Sequence, residues 1–187
     1  MPASDRSPNP RNAPSSTPLR ARSTLASLSR RIPLVAPRGS HAPSGAIRAL
    51  AQARQVLIFA VGETVYAAHA LARRISQIDG KFQFVTYENQ VRREMDHDLE
   101  GTALVLVSLS GETAQVVGLA RGAAEKGVCA ISLTDLHPCS LAQYARLALY
   151  CCSPARKIDD VTTTDLTPLM AALTQIESCY LQEIGVL

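Results

Sequence analysis

Residues 103–124, ALVLVSLSGETAQVVGLARGAA, decide the fold class. Leu104, Val105, Leu106 and Val107 form a continuous aliphatic run that reads as a buried strand. The run stops at a knot of small residues, Ser108, Ser110, Gly111 and Thr113. A helical pattern follows at once, with Val116, Val117, Ala120 and Ala124 expected on one buried stripe. A strand feeding a hydroxyl-lined turn that opens a helix is suited to an anion. The first N–H groups of the helix lack intrahelical partners, its dipole is positive there, and the hydroxyls add donors.

Working outward, the same succession recurs. Residues 46–53 read as a short helix and 55–61 (QVLIFAV) as a buried strand. Gly62-Glu63-Thr64 makes a turn, with Thr64 placed as N-cap or first-turn residue. The next helix is expected to bury Val65, Ala68, Leu71, Ala72 and Ile75, with Arg73 and Arg74 towards water. Residues 82–87 read as a second strand, 89–99 as a polar helix, and 102–108 as the third strand. The helix after the opening turn ends near Gly127. Residues 128–133 form strand four, 140–146 a short helix and 147–151 strand five. A polar loop over 153–160 leads to a last helix, with Thr167 as its N-cap and Pro168 as its first residue. That helix is expected to bury Leu169, Met170, Leu173, Ile176 and Tyr180. Strands alternating with helices predict an α/β three-layer sandwich, a five-stranded parallel sheet with helices on both faces. In such sheets ligands sit at the carboxyl ends of strands, where strand order reverses. The turns after strands one and three are therefore expected to face one pocket.

The totals set limits on this reading. A chain of 187 residues, 47% hydrophobic and 19% charged, has room for one ordinary domain with a substantial core. No apolar run approaches the roughly 18 residues of a membrane span. The five cysteines, Cys129, Cys139, Cys151, Cys152 and Cys179, contain no CxxC pair and mostly sit in apolar segments. They read as buried or half-buried free thiols in a reducing compartment. No His/Cys spacing suits a zinc site, and no metal or cofactor is expected.

The net charge of +3 is unevenly divided. Residues 1–45 hold seven arginines against one aspartate, and eight of the eleven prolines. The remainder is net negative and shows no nucleic-acid surface. Residues 1–45 cannot bury enough apolar surface to offset their ordering entropy, and read as a disordered tail. A helix over residues 24–31 would be stopped by Pro33 and Pro37. Two other readings fit the same Arg/Ser/Pro bias: a transit peptide, or a misassigned start replacing a different N-terminal domain.

The run SLSGETAQVVGLARGAAEKGVCAISLT (residues 108–134) resembles the SIS (sugar isomerase) domain, whose strand–SxSGxT–helix turn holds the phosphate of a phosphosugar. FAVGET (59–64) is similar to that family's first turn, usually GxGxS, and CSLAQYARLAL (139–149) to its SPLAxxADxxL segment. The matches run in order over residues 46–187. The resemblance implies a flavodoxin-like fold in which Ser108, Ser110 and Thr113 bind phosphate with the backbone N–H groups around Gly111 and Glu112. Gly62 and Thr64 would complete the site from the first turn. Ala60 stands where the family has its first glycine, and Glu63 adds a carboxylate that would repel phosphate if turned inward. Cys139, Ser140 and Arg146 replace the usual Ser, Pro and Asp.

The stretch SPARKIDDVTTTDLTPLMAALTQIESCYLQEI (153–184) resembles the end of the effector domain in RpiR-type transcriptional regulators. This implies a cytoplasmic sensor of a phosphosugar in carbohydrate metabolism, paired into a homo-oligomer, with no membrane partner. Residues 1–45 lack the three-helix pattern of the regulators' helix-turn-helix, so DNA is a partner only if that domain precedes this sequence. The alternative is an aldose/ketose phosphate isomerase, which needs a base beside the sugar. Glu88, His69, His97, His137 and Glu177 are the candidates, with His137 best placed, after strand four. None lies in a motif tied to catalysis, so no catalytic residue is assigned.

Overall fold

The computed structural model describes residues 42–187, apart from 99, 154, 159 and 160. The expected tail and its helix over residues 24–31 therefore lie outside the described residues, except for the tail's last four positions. Those four begin α1 (Ala42–Gln52), four residues earlier than expected. Pro43 is compatible with a first helical turn, where its missing N–H costs no intrahelical bond.

The elements then follow in the expected order. They are β1 (Gln55–Ala60), α2 (Thr64–Ser76), β2 (Phe82–Phe84), α3 (Glu88–His97), β3 (Thr102–Val107), α4 (Ala114–Lys126), β4 (Cys129–Asp135), α5 (Ser140–Tyr144) and β5 (Leu147–Cys151). A hairpin, β6 (Ala155–Ile158) with β7 (Val161–Thr164), precedes α6 (Thr167–Glu183). The hairpin is antiparallel, pairing Ala155 with Thr164 and Ile158 with Val161. It replaces the polar loop expected over residues 153–160.

Strands β1 to β5 form one parallel sheet in the order β2-β1-β3-β4-β5. β3 lies at its centre and is buried at every position. Alternate residues serve opposite faces, which is why the run 103–107 is apolar throughout rather than alternating. Ala103, Val105 and Val107 pack with Val56, Ile58, Ile131 and Leu149 beneath α1, α2 and α6. Leu104 and Leu106 pack with Leu57, Phe59 and Ala130 beneath α3, α4 and α5. Each such leucine contributes about 1.5–3 kcal/mol by leaving water. The result is the predicted three-layer sandwich.

Several expectations shift on inspection. The buried stripe of α4 is Val116, Leu119, Ala120 and Ala123; Ala124 is exposed and Val117 half-buried. Gly127 ends α4 with φ 75°, and the Val128 N–H returns to the Ala123 carbonyl at 2.9 Å. Only a residue at ease in the left-handed region closes a helix this way. β2 is three residues rather than six, because it is an edge strand registered only against Val56, Leu57 and Ile58. Arg74 does not face water alone: it forms an ion pair with Glu177 and a 3.3 Å hydrogen bond to Thr174, joining α2 to α6. Thr167 is the first helical residue of α6, not its cap, and its N–H is held by the Asp165 carboxylate at 2.9 Å. Met170 is only half-buried, whereas Leu169, Leu173, Ile176 and Tyr180 are core as expected. The Tyr180 hydroxyl donates to Asp79 at 2.5 Å, fixing α6 to the end of α2. All five cysteines are free, and Cys152 is exposed against expectation.

Candidate functional site

β1 and β3 are sheet neighbours, yet their following helices leave towards opposite faces. This is the point where strand order reverses, and a crevice opens between such turns. A cleft of about 220 Å³ lies there, lined by Val61, Glu63, Thr64, Ser108, Leu109, Ser110, Thr113, Thr164 and Leu166. The two turns do face one pocket.

The first turn pivots on Gly62, with φ 65°. Thr64 opens α2 as a first-turn residue, and its hydroxyl donates to the Val61 carbonyl at 2.9 Å instead of capping an N–H. Glu63 occupies the cap position without a capping side-chain bond.

The second turn is built on the Ser108 hydroxyl, which is buried. It accepts the Gly111 N–H at 3.2 Å and lies 3.0 Å from the Thr113 hydroxyl and 3.4 Å from that of Ser110. The Glu112 N–H points to the Ser110 hydroxyl at 3.3 Å. Thr113 is the last extended residue before α4 and makes no capping bond of its own. Three hydroxyls thus share one short turn ahead of a helix N-terminus, where one would suffice as a cap. α2 also begins at this cleft, so two positive helix ends meet here.

The sequence-based candidates divide cleanly. Thr64, Ser108, Ser110 and Thr113 line the cleft together. Gly62 and Gly111 shape the turns; a Cβ on Gly111 (φ 63°) would lie 2.3 Å from the Cys139 sulfur and 2.6 Å from its Cβ. The Glu112 side chain turns away to accept the Ser140 N–H at 2.8 Å, so only its backbone belongs to the turn. That bond, then the Ser140 hydroxyl, lowers the Glu112 carboxyl pKa, with burial opposing and His137 assisting weakly. Glu63, an exposed residue, borders the cleft, and among the described lining residues it alone carries a full charge.

None of the five candidate bases lines this cleft. Glu88 is paired with Arg92 at 2.6 Å and Glu177 with Arg74. His69 is exposed, its ring edge-on to Phe84, and His97 is exposed in the last turn of α3. His137 lines a different, largely apolar groove with Leu136, Pro138 and Tyr150. Among the described residues no three His, Cys, Asp or Glu side chains converge as a metal site, and no helix is long and apolar enough to cross a membrane. The sequence reading missed Thr164, the last residue of β7, and Leu166, just after the hairpin, which both line the cleft. The β-branched run Val161–Thr164 was the available signal.

Known proteins are similar to this chain in sequence or in fold. An uncharacterized protein of Archaeoglobus fulgidus is 28% identical over 123 residues, covering 66% of this chain and 64% of its own. The Vibrio vulnificus NanR protein, solved with ManNAc-6P, superposes with a TM-score of 0.65 at 19% identity, over 76% of this chain and 54% of NanR. The sugar isomerase domain of an RpiR transcription factor from Sphaerobacter thermophilus gives 0.67 at 19% identity, over 76% and 78%. A Methanococcus jannaschii protein inferred to be a 3-hexulose-6-phosphate isomerase gives 0.55 at 19%, over 77% and 78%. The chain thus spans less than two thirds of the Archaeoglobus protein and of NanR. The profile of the SIS domain matches residues 49–176, and with that match the chain belongs to the SIS domain family.

Proposed function

We propose that the chain binds a phosphorylated sugar and acts as the effector-sensing part of an RpiR-type regulator of carbohydrate metabolism. Residues 46–187, with α1 reaching back to Ala42, form the sensing domain. The observation that carries the reading is the single cleft in which Ser108, Ser110, Thr113 and Thr64 converge on two helix N-termini. That arrangement suits a phosphate dianion, with the sugar lying towards Leu109, Leu166 and Thr164. NanR bound to ManNAc-6P and the RpiR sugar isomerase domain share the fold and support the assignment. A cytoplasmic homo-oligomer fits this role, since ligand affinity that differs between two subunit arrangements turns binding into an output. DNA is a partner only where a helix-turn-helix domain is joined to this one.

One observation favours a second reading, an aldose/ketose phosphate isomerase. Glu63 borders the cleft, and a base beside the sugar is what enediol chemistry requires. A panel of sugar phosphates screened by thermal shift, with NMR of the same samples, separates the two. A ligand that raises the melting temperature and stays chemically unchanged supports the sensor; interconversion of aldose and ketose establishes the isomerase. A panel with no stabilising member overturns both.

A further inference from the structure

Asp135, the last residue of β4, is connected to two walls of the cleft at once. Its backbone N–H donates to the Leu109 carbonyl at 3.1 Å, and Leu109 lines the cleft within the hydroxyl turn. Its carboxylate accepts the Ser153 N–H at 2.8 Å. Ser153 is buried, and its hydroxyl donates to the Asp165 carbonyl at 3.0 Å. Asp165 stands between Thr164 and Leu166, which both line the cleft. Ser153 and Asp165 lie just outside the pair Ala155–Thr164 that begins the hairpin, so their bond holds the hairpin at its base. On the far side the Asp165 carboxylate accepts the Thr167 N–H at 2.9 Å, and the Leu166 carbonyl accepts the Met170 N–H at 2.9 Å. The segment 164–166 is thus held by α6 on one side and by Asp135, through Ser153, on the other.

The two walls are held by separate bonds. The Gly111 N–H closes the hydroxyl turn onto Ser108, and the Leu141 N–H and the Glu112 carboxylate brace it from behind. None of these passes through the Asp135 side chain, and replacing that side chain keeps its backbone bond to Leu109. Losing the carboxylate leaves the buried Ser153 without the acceptor of its N–H, and frees the segment 164–166 to move relative to the turn. We propose that Asp135 is a positioning residue for the sugar: through Ser153 it sets Thr164 and Leu166 at the spacing from the hydroxyl turn that a phosphosugar requires. This role rests on the phosphosugar reading above. The Ser108–Thr113 turn holds the phosphate, and the wall set by Asp135 recognises the sugar that the phosphate carries.

Calorimetric titration of the full chain with glucose 6-phosphate, fructose 6-phosphate and inorganic phosphate tests it, on wild type, Asp135→Ala, Asp135→Asn and Ser153→Ala. Circular dichroism checks each fold. Asp135→Ala is expected to bind the sugar phosphate that wild type prefers about tenfold more weakly, with inorganic phosphate within about twofold of wild type. Asp135→Asn keeps an acceptor oxygen and stays within about threefold for both. Ser153→Ala keeps its N–H on Asp135 and loses the link to Asp165, so it reads the same selective loss even where Asp135→Ala does not fold. Equal loss of sugar phosphate and inorganic phosphate, or undiminished sugar-phosphate binding in folded Ser153→Ala, overturns the positioning role and leaves phosphosugar binding standing. A wild type that binds the sugar phosphates no more tightly than inorganic phosphate also overturns the positioning role. A wild type that binds none of the three probes overturns both.

Discussion

The Glu112 carboxylate and the Ser140 backbone N–H, 28 positions apart in the chain, are joined at 2.8 Å. The bond fastens the hydroxyl turn after β3 to the first residue of α5. Two more contacts run beside it: the Leu141 N–H donates to the Gly111 carbonyl at 3.0 Å, and Cys139 packs against Gly111. The turn that lines the cleft is therefore held from behind by the loop following β4.

This latch carries a pH signature. Its hydrogen bonds from Ser140 lower the Glu112 pKa in the folded chain. A carboxylate with a depressed folded pKa stabilises above its unfolded value, about 4.3 for glutamate, and loses that contribution as pH falls through the folded value. The melting-temperature gap between wild type and Glu112→Gln should be constant from neutral pH to about 5, then narrow as pH drops below about 4. A gap that is flat down to acid unfolding would show that the ionised carboxylate contributes nothing.

Gly111→Ala should be among the most damaging single-atom additions in the site. The new Cβ would sit 2.3 Å from the Cys139 sulfur, at a φ of 63°. The left-handed conformation alone costs about 1–2 kcal/mol for an alanine, and the contact adds to it. A loss of at least about 2 kcal/mol is expected in urea unfolding, or roughly 4–8 °C for a domain of this size. Adding Cys139→Ala removes the sulfur contact but leaves the Cβ 2.6 Å away and the backbone strain. It should recover less than half of the loss; full recovery would place the cost in the sulfur alone.

The difference between what residues 103–124 disclosed and what they hid has a physical basis. Leu104 to Val107 declared a doubly covered strand because both faces of a parallel sheet need apolar residues, and the following hydroxyls marked its carboxyl end. β5, Leu147–Cys151, emerged with its observed bounds from its short apolar run, although it is an edge strand buried only at Leu149 and Cys151. Thr164 and Leu166 were illegible because they reach the cleft only through the chain's return, some fifty residues after Ser110. The hairpin that ends at Thr164 was hidden by Arg156, Lys157 and Thr162–Thr164, a polar pattern that reads as loop unless pairing is known. Glu63 was visible as a departure in the first turn, but its place at the cleft border was not, since a turn's composition does not say which cavity it adjoins.

If the hydroxyl turn is the anion site, Ser108→Ala with Ser110→Ala should abolish stabilisation by any sugar phosphate that protects wild type. The domain itself should survive. The Ser108 carbonyl still accepts the Gly111 N–H at 3.1 Å, so the turn keeps its backbone closure and loses about 1 kcal/mol for the missing hydroxyl bonds. Circular dichroism checks the fold and thermal shift the ligand effect, with affinity expected to fall at least about tenfold, or about 1.4 kcal/mol. Undiminished protection in a folded double variant would remove these hydroxyls from the site.

Adjacent thiols at the end of β5 should differ sharply in reactivity. Cys151 is buried and donates to the Thr134 carbonyl at 3.4 Å. Burial pushes its pKa up to about 11, against a smaller opposing effect of Ser153. At pH 8 only about one molecule in a thousand would carry the thiolate that alkylating agents need. Cys152 is exposed and meets reagent freely. Iodoacetamide at pH 8, read by peptide mass spectrometry, should modify Cys152 first, with Cys151 and the buried Cys139 labelled only as denaturant opens the core. Because the Cys151 pKa is raised, its labelling should quicken only as pH climbs towards 11 in the folded chain. Equal labelling of Cys151 and Cys152 without denaturant would mean that the end of β5 opens locally, exposing the strand beside Thr134.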